Sequence, residues 1–228
     1  MAFGPWMKMT TDAGLIVELG PFERDDVKQY VEGMQRLDVI KYFGGTGAAF
    51  TVGNEQEWYD GISKKQNDFY WGIWVGEGDE RRLVGATSIK DIGPHAETQR
   101  NITQAVTGIL IADPAYWGKG VASVAHKART WYAFRQYGLV RLKSAVAQPN
   151  TASRRAIEKV GYTQVSVERN MLFVDGKYVH YDNFECLNPD EWSWKLWWGD
   201  DRPTRKSLEA RKLTEVALEW ADTHVRLS

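Results

Sequence analysis

The sequence is poor in the residues that build disulfides and metal centres. A single cysteine, Cys186, excludes an internal disulfide and a cysteine-cluster metal site, and it fits a reducing compartment. Acidic neighbours at Asp182 and Glu185 raise a thiol pKa, so we expect a buried or inert thiol rather than a nucleophile. We expect no metal site either, because no H-E-x-x-H spacing joins the four scattered histidines, His95, His126, His180 and His224.

Charge of one sign and long hydrophobic runs are also missing. The 228 residues carry 29 Lys and Arg against 30 Asp and Glu, a net charge of -1, so no basic field favours a nucleic-acid partner. Any anion site must be local. No apolar run approaches the ~18 residues of a spanning helix, and the N-terminus lacks a signal-peptide pattern. We therefore expect a soluble cytoplasmic protein without a membrane partner.

Hydrophobic periodicity, in contrast, is plentiful. It predicts strands at 15–19, 71–75, 83–89, 105–112, 139–147, 162–170 and 177–187, and helices at 23–36, 54–65, 123–138 and 150–160. Residues 1–14 show no pattern and are expected to fray, and glycine-rich 44–47 and polar 91–101 are expected to be loops. This order describes a mixed sheet with helices on its faces, an α/β class of fold.

The last 36 residues stand apart from this pattern. Four tryptophans, at 192, 194, 197 and 198, precede a polar break and a helix from 204 to about 226. Its apolar stripe packs either on its own domain or against a second copy, as a homodimer; the stripe consists of Leu213, Val216, Ala217, Trp220 and Ala221. The tryptophans either wall a substrate site or, as we favour, pin this helix to the body.

A glycine turn at 116–122 joins a predicted strand to a predicted helix. Gly118 and Gly120 leave the backbone uncovered, so successive N–H groups and the helix N-terminus can hold an anion such as a phosphate. The alternative is a tight turn with no ligand. Lys119 either contacts a phosphate or is a solvated loop residue.

Taken with two later segments, this turn resembles the GNAT family of acetyl-CoA-dependent N-acetyltransferases, most closely its RimJ/RimL branch. Trp117, Gly120 and Ala122 take the places of the family's Q/R-x-x-G-x-G/A motif. Asn150 and Ser153 match N-x-x-S, and residues 161–162 match G-F. Residues 173–179 and 190–192 resemble the branch's closing segments. The resemblance covers roughly residues 15–192 and implies the GNAT fold, a mixed sheet of about seven strands flanked by helices, followed by the extension at 193–228.

The resemblance implies acetyl-CoA as co-substrate, with pantetheine lying between splayed strands at 105–112 and 139–147. The cofactor-binding residues it implies are Ile109, Leu110, Ile111, Trp117, Gly118, Lys119, Gly120, Val121, Ala122, Asn150 and Ser153. The Ser153 hydroxyl would also act in catalysis by donating to the departing thiolate. As alternatives, Asn150 is a plain N-cap and Ser153 a cap-region hydroxyl. Arg154 and Arg155 either meet the 3′-phosphate or form a solvated face.

The general base is where the sequence departs from the family. Val106 stands where many relatives have Glu. At pH 7 an α-amine needs about 1.4 kcal/mol to become neutral, against about 4.6 kcal/mol for a lysine-like amine, so a missing base favours an α-amine acceptor. His180 is the candidate catalytic base that we single out, since its ordinary pKa suits the role, although a structural histidine is the alternative. The other candidates are Asp91, His95, Glu97, Asp182 and a relayed water.

The sequence thus predicts an enzyme that transfers acetyl from acetyl-CoA to a primary amine by direct attack in a ternary complex. A protein or peptide α-amino group is the favoured acceptor, and an antibiotic or a polyamine is the alternative. Because of Val106 and the long extension, an acetyl-CoA-binding regulatory module with little turnover is the second hypothesis.

Overall fold

The computed structural model describes residues 2–43, 50–97 and 101–228. Within these ranges the strands are β1 (Met7–Thr10), β2 (Ile16–Gly20), β3 (Phe69–Val75), β4 (Arg82–Pro94), β5 (Thr103–Ile111), β6 (Arg141–Ala147), β7 (Thr163–Val174), β8 (Lys177–Leu187) and β9 (Arg226–Leu227). The helices are α1 (Lys28–Met34), α2 (Leu37–Ile40), α3 (Val52–Ile62), α4 (Val121–Trp131), α5 (Thr151–Glu158), α6 (Glu191–Trp198) and α7 (Arg205–His224).

All strands join one mixed sheet in the order β7-β8-β6-β5-β4-β3-β2-β1-β9. Neighbours are antiparallel except β5 and β6, which run parallel. This confirms the predicted mixed sheet, although the part of the chain that the structure describes has nine strands rather than about seven. The two extra strands, β1 and β9, lie together at one edge.

Central strand β3 is buried on both faces because its side chains alternate between two cores. Trp71 and Ile73 face a core that includes residues of α4 and α7, whereas Tyr70 and Trp74 face a core formed with α1, α2 and α3. The sheet therefore separates a layer with α4 and α7 from a layer with α1 and α3.

The expectation that residues 1–14 fray is wrong. Strand β1 pairs with β2 through Met7 and Leu19, and with β9 through Lys8 and Arg226, and the Met7 and Met9 side chains are buried. Four residues are too few for a periodic signal, and one partner strand lies at the opposite end of the chain. The sequence therefore gave no local indication of this pairing.

Two further boundaries differ from prediction. Residues 91–94 are not loop, because β4 continues to Pro94 across an irregularity in which Asp91 adopts a φ of 54°. The helix predicted at 123–138 is α-helical only as far as Trp131, the end of α4. The chain then continues as a π-helical segment, Tyr132–Gln136. The predicted glycine loop at 44–47 lies outside the described residues.

Helix α7 packs on its own domain, against α4. Ala217, Leu218 and Ala221 are buried, and Trp131 Nε1 of α4 donates to Asp222 Oδ1 at 2.6 Å. The predicted stripe was partly wrong, since Leu213 and Val216 are exposed. The buried face is rotated toward Thr214, which contacts the backbone near Gly161.

The tryptophan-rich segment is helix α6, which contacts both α7 and strand β6 of the sheet. Arg211 of α7 lies 4.7 Å from the Trp194 ring, and Arg141 of β6 lies 4.7 Å from the Trp197 ring. These contacts support the structural interpretation of the cluster. No helix in the described ranges has the length and apolar character needed to cross a membrane. Cys186 is buried, as expected, and burial raises the pKa of its thiol to about 12.

Candidate active site

The glycine turn leaves the start of α4 bare. Gly118 and Gly120 have φ values of 72° and 85°, in the left-handed region where glycine is favoured. Gly120 is the N-cap of α4 and makes no side-chain capping bond, and the first helical turn carries no acidic residue. Gly118, Lys119 and Gly120 are exposed. The first amides of this 11-residue helix lack intrahelical partners and lie beside the exposed turn, together with the partial positive charge of the helix N-terminus.

The side chains around this turn fold away from it. Trp117 lies back along β5, where its Nε1 donates to the Ile111 carbonyl oxygen at 2.9 Å. Lys119 Nζ lies 5.7 Å from the centre of the Tyr116 ring. Val121 is buried in the core, while Ala122 is half-buried in the first turn of α4. The predicted motif thus presents main chain rather than side chains.

The parallel strands β5 and β6 are paired only at their beginnings. Their register runs from Gln104 opposite Arg141 to Val106 opposite Lys143, although β5 continues to Ile111 and β6 to Ala147. The predicted splay of these two strands is confirmed. A gap opens between them toward the end that carries the glycine turn.

Side chains close the narrow end of this gap. Thr107 Oγ1 donates to the Lys143 carbonyl at 3.1 Å and lies 3.3 Å from the buried Tyr162 hydroxyl. Ser144 Oγ donates to the Thr107 carbonyl at 3.5 Å. These contacts take the place of further ladder hydrogen bonds at the point where the strands separate.

Above that point, Ile109 presents its main chain to the gap. Ala112 N donates to Val84 O of β4 at 2.8 Å. Because backbone groups alternate along an antiparallel strand, the N–H and C=O groups of even-numbered β5 residues point toward β4, and those of odd-numbered residues point toward the gap. Of the odd-numbered positions, Thr107 and Ile111 have carbonyls that accept from Ser144 and Trp117. Three β5 residues were predicted to contact pantetheine. The backbone groups of Leu110 pair with β4, and the Ile111 carbonyl is taken by Trp117. The backbone of Ile109 faces the gap, between the Thr107 and Ile111 carbonyls.

A buried arginine fixes β5 where the gap begins. Arg129 of α4 is fully buried, and its Nη1 donates to the Gly108 carbonyl at 2.8 Å and to Thr87 Oγ1 at 2.7 Å. Its Nη2 lies 2.8 Å from His126 Nδ1. Burial lowers the pKa of His126 well below its ordinary value, so the neutral ring can accept that bond.

Across the gap, α5 begins at Asn150. Asn150 Oδ1 accepts from Ser153 N at 3.2 Å, so the predicted N-cap is present. This bond engages only the oxygen of the amide and leaves Nδ2 as a donor. Arg154 forms an ion pair with buried Asp182 at 2.6 Å, whereas Arg155 is exposed. Of the two arginines considered for the 3′-phosphate, Arg155 is the one that faces solvent.

A cavity of about 210 Å³ lies against β4 and β5 beneath α1 and α3. Its floor includes Gly108, Ile109 and Leu110 of β5. Five aromatic side chains contribute to its walls: Tyr30, Phe43, Phe50, Trp58 and Tyr70. Among its described lining residues, Glu55 and Lys90 are the charged ones. The cavity is thus largely apolar, contains one carboxylate, and is bounded on one side by β5, the strand that faces the gap.

Glu55 lies in the first turn of α3 and is buried, with 7% of its surface exposed. Its Oε2 accepts a hydrogen bond from the Tyr30 hydroxyl at 3.2 Å. Burial raises the pKa of the Glu55 carboxyl, and the bond from Tyr30 opposes that rise. Nothing in the sequence singles this residue out, because an acidic side chain near a helix start is ordinary. Only the fold shows that it is buried beside a tyrosine 25 positions away.

Comparison with known proteins gives the family. The model of the acetyltransferase (GNAT) domain matches residues 17–163, which is more than half of the chain. The chain belongs to the GNAT acetyltransferase family. It is an acetyl-CoA-dependent N-acetyltransferase, and the exposed helix start and the strand gap fit such a co-substrate.

Individual relatives agree with this assignment. The acetyltransferase is 28% identical over 181 residues to the probable N-acetyltransferase YjcK of Bacillus subtilis, covering 79% of this chain and 91% of that one. It is 25% identical over 163 residues to the spermidine N(1)-acetyltransferase of Escherichia coli K12, covering 71% and 81%. RimJ of Mycobacterium smegmatis, solved in complex with CoA-disulfide, shares the fold with a TM-score of 0.66 at 20% identity, covering 85% and 93%.

The base candidates in and beyond β4 lie outside the cavity lining of the acetyltransferase. The Asp91 amide donates to Asp68 Oδ1 at 2.8 Å at the irregularity in β4. His95 packs edge-on against Trp197, with ring centres 5.3 Å apart. Glu97 is exposed. None of these three residues lines the cavity that contains Ile109.

The candidates on β8 have structural partners. His180 Nδ1 accepts from the Asn170 amide at 3.1 Å, at an irregularity between β7 and β8. Asp182 is held by Arg154 and by two glutamine side chains. Neither lines the cavity, so the role of His180 as base stays a prediction.

Proposed function

We propose that this acetyltransferase acetylates the α-amino group of a peptide or protein, which enters the cavity beneath α1 and α3. The observation that carries the proposal is that one aromatic cavity contacts both Ile109 and the buried carboxylate of Glu55. Aromatic faces and one carboxylate suit a single ammonium group attached to an apolar body. A polyamine would bring further cations into a cavity that also contains Lys90, where they would lack partners.

The co-substrate would approach from the opposite side of β5. The amides at the start of α4 would bind the pyrophosphate of acetyl-CoA, and pantetheine would occupy the gap beside the Ile109 main chain. Asn150 Nδ2 can donate to the pantetheine arm while its Oδ1 caps α5. This arrangement is supported by the glycine turn and by the end of strand pairing at Val106.

In the proposed reaction the neutral amine attacks the thioester carbonyl carbon. A C–N bond forms, the C–S bond breaks, and the thiolate leaves with a proton, for which Ser153 is the candidate donor. The Ile109 amide would donate to the oxyanion. Holding both reactants on either side of one strand would supply much of the rate by positioning.

The test is an acceptor panel with acetyl-CoA. It contains a peptide with a free N-terminus, the same peptide blocked at its N-terminus but bearing a lysine, and spermidine. We expect thiol release and one added acetyl group, located by mass spectrometry, with the first peptide, and a kcat/KM at least about tenfold below it for the other two. Preference for spermidine or for the lysine side chain would overturn the acceptor assignment. Acetyl-CoA binding without acetylation of any amine would favour the regulatory module.

A further inference from the structure

We propose that Glu55 is the acceptor-side catalytic residue: its carboxylate binds the incoming ammonium and takes the proton that must leave before nitrogen attacks. Tyr30 acts as the positioning residue that holds this carboxylate. The inference rests on the proposed function in that an amine occupies the cavity, but it does not depend on which amine is preferred.

The position of Glu55 suits a proton acceptor for the incoming amine. Glu55 and Ile109 line the same cavity of about 210 Å³, one from α3 and the other from β5. An amine in this cavity therefore lies between a proton acceptor and the strand beside which the thioester is proposed to lie. Val106, where many relatives carry Glu, leaves β5 without such an acceptor, and α3 supplies one from the other wall.

A buried Glu55 carboxylate costs free energy of desolvation. A carboxylate with 7% exposure loses much of its hydration. Within the described ranges its hydrogen-bond partner is the Tyr30 hydroxyl, and no salt bridge compensates its charge. A buried charge held by one neutral donor is poorly stabilised, and an ammonium ligand would supply the missing counter-charge.

Other titratable groups line the cavity with Glu55. They include Tyr30 of α1 and Tyr70 of β3, whose pKa values burial raises, so both remain neutral donors. Tyr70 donates to Asp68 Oδ2 at 2.9 Å. From β4 comes Lys90, and β5 contributes no titratable side chain to the lining. A protonation change of Glu55 is therefore the simplest source of a pH limb in acceptor use.

The proton balance is complete without any further reagent. The ammonium gives its first proton to the Glu55 carboxylate, and the neutral amine adds to the thioester carbon. When the C–S bond breaks, the electron pair leaves on sulfur; Ser153, the candidate donor, gives its hydroxyl proton to the thiolate and takes up the second nitrogen proton in exchange. Glu55 then returns its proton to solvent, and the products are the amide and CoA thiol.

The experiment compares Glu55→Gln with Glu57→Gln, a matched change of an exposed residue on the same helix. We expect Glu55→Gln to lower kcat/KM for the best acceptor of the panel by about 100-fold or more. Glu57→Gln should stay within about twofold of the wild type. Acetyl-CoA affinity, measured by calorimetry, should be unchanged in both variants, which shows that the fold is intact.

A second variant, Tyr30→Phe, tests the mechanism through the pH profile. Removing the bond that opposes the raised pKa of Glu55 should move the acidic limb of kcat/KM to higher pH, while Glu55→Gln should abolish that limb. A limb that vanishes in His180→Gln and persists in Glu55→Gln would overturn the inference. So would a loss below about threefold in Glu55→Gln. If peptides fail but another amine is acetylated, the same variants are tested with that amine, so only the acceptor assignment falls; acetylation of no amine removes both.

Discussion

The two sides of β5 are built in different ways. On the co-substrate side the proposed contacts with pyrophosphate and oxyanion come from main chain, namely the amides at the start of α4 and the gap-facing Ile109, with Asn150 and Ser153 as the side chains added to them. On the acceptor side they come from side chains of α1, α3 and β4 that meet only in the folded protein. A site made of backbone needs contiguous residues of special conformation, so it leaves a motif in the sequence. A site made of distant side chains leaves none.

The largest expected effect on acetyl-CoA binding tests the backbone side. Gly120→Val places a β-branched residue at a φ of 85°, at a cost of about 1–2 kcal/mol, and its Cβ would lie 3.3 Å from Thr11 Cβ. Displacing two of the amides that bind phosphate should remove roughly 3 kcal/mol, so acetyl-CoA affinity should fall about 100-fold. Calorimetric titration measures this.

Gly78→Val is the matched control, because Gly78 has a φ of 54° in the β3–β4 connection with no neighbour near its missing Cβ. It should suffer similar strain and bind acetyl-CoA normally. Equal affinity in both variants would mean that the turn is a structural feature only, and the proposed contrast between the two sides would be lost.

The same contrast explains how far the sequence could be interpreted. Gly118, Gly120 and Asn150 were identified from a motif because glycine at positive φ and an amide N-cap are local requirements. Most strands were predicted correctly because their hydrophobic periodicity is also a local property of the sequence. Strands β1 and β9 were missed because they pair with each other across nearly the full length of the chain, and of the two only β1 also pairs with a nearby strand, β2.

Burial was the property that the sequence could not supply. On α7 the stripe was predicted to include Val216, which is exposed, because the contact with Gly161 rotates the buried face toward Thr214. The burial of Glu55 was missed for the same reason, and here the missed residue belongs to the candidate site. Its type and spacing are unremarkable, and only the packing of α1 onto α3 sets it beside Tyr30.

A second test asks whether Asn150 both caps α5 and binds the co-substrate. Asn150→Ala removes the α5 cap and should reduce the free energy of unfolding by about 1 kcal/mol in denaturant titrations. If its Nδ2 also holds pantetheine, the KM for acetyl-CoA should rise several-fold.

Thr204→Ala removes a comparable cap from α7, where Thr204 accepts from Ser207 N at 3.1 Å. We expect a similar loss of stability there with an unchanged KM. An unchanged KM in both variants would limit Asn150 to its capping role, leaving the co-substrate side dependent on the turn and the gap.

The smallest expected effect concerns stability on the acceptor side. Because burial raises the pKa of Glu55 in the folded state, the native protein binds its proton more tightly than the unfolded chain, whose carboxyl has the ordinary pKa of 4.5. Stability due to this group is therefore greatest at low pH and falls as pH rises from about 4.5 through the folded-state pKa. Glu55→Gln should consequently be more stable than the wild type at pH 7.5, by about 0.5 kcal/mol, with the difference shrinking toward pH 4.5. Thermal unfolding at several pH values checks this. A variant that loses both activity and stability at pH 7.5 would mark Glu55 as a structural residue, whereas lost activity with gained stability is the signature of a carboxylate retained for its chemistry.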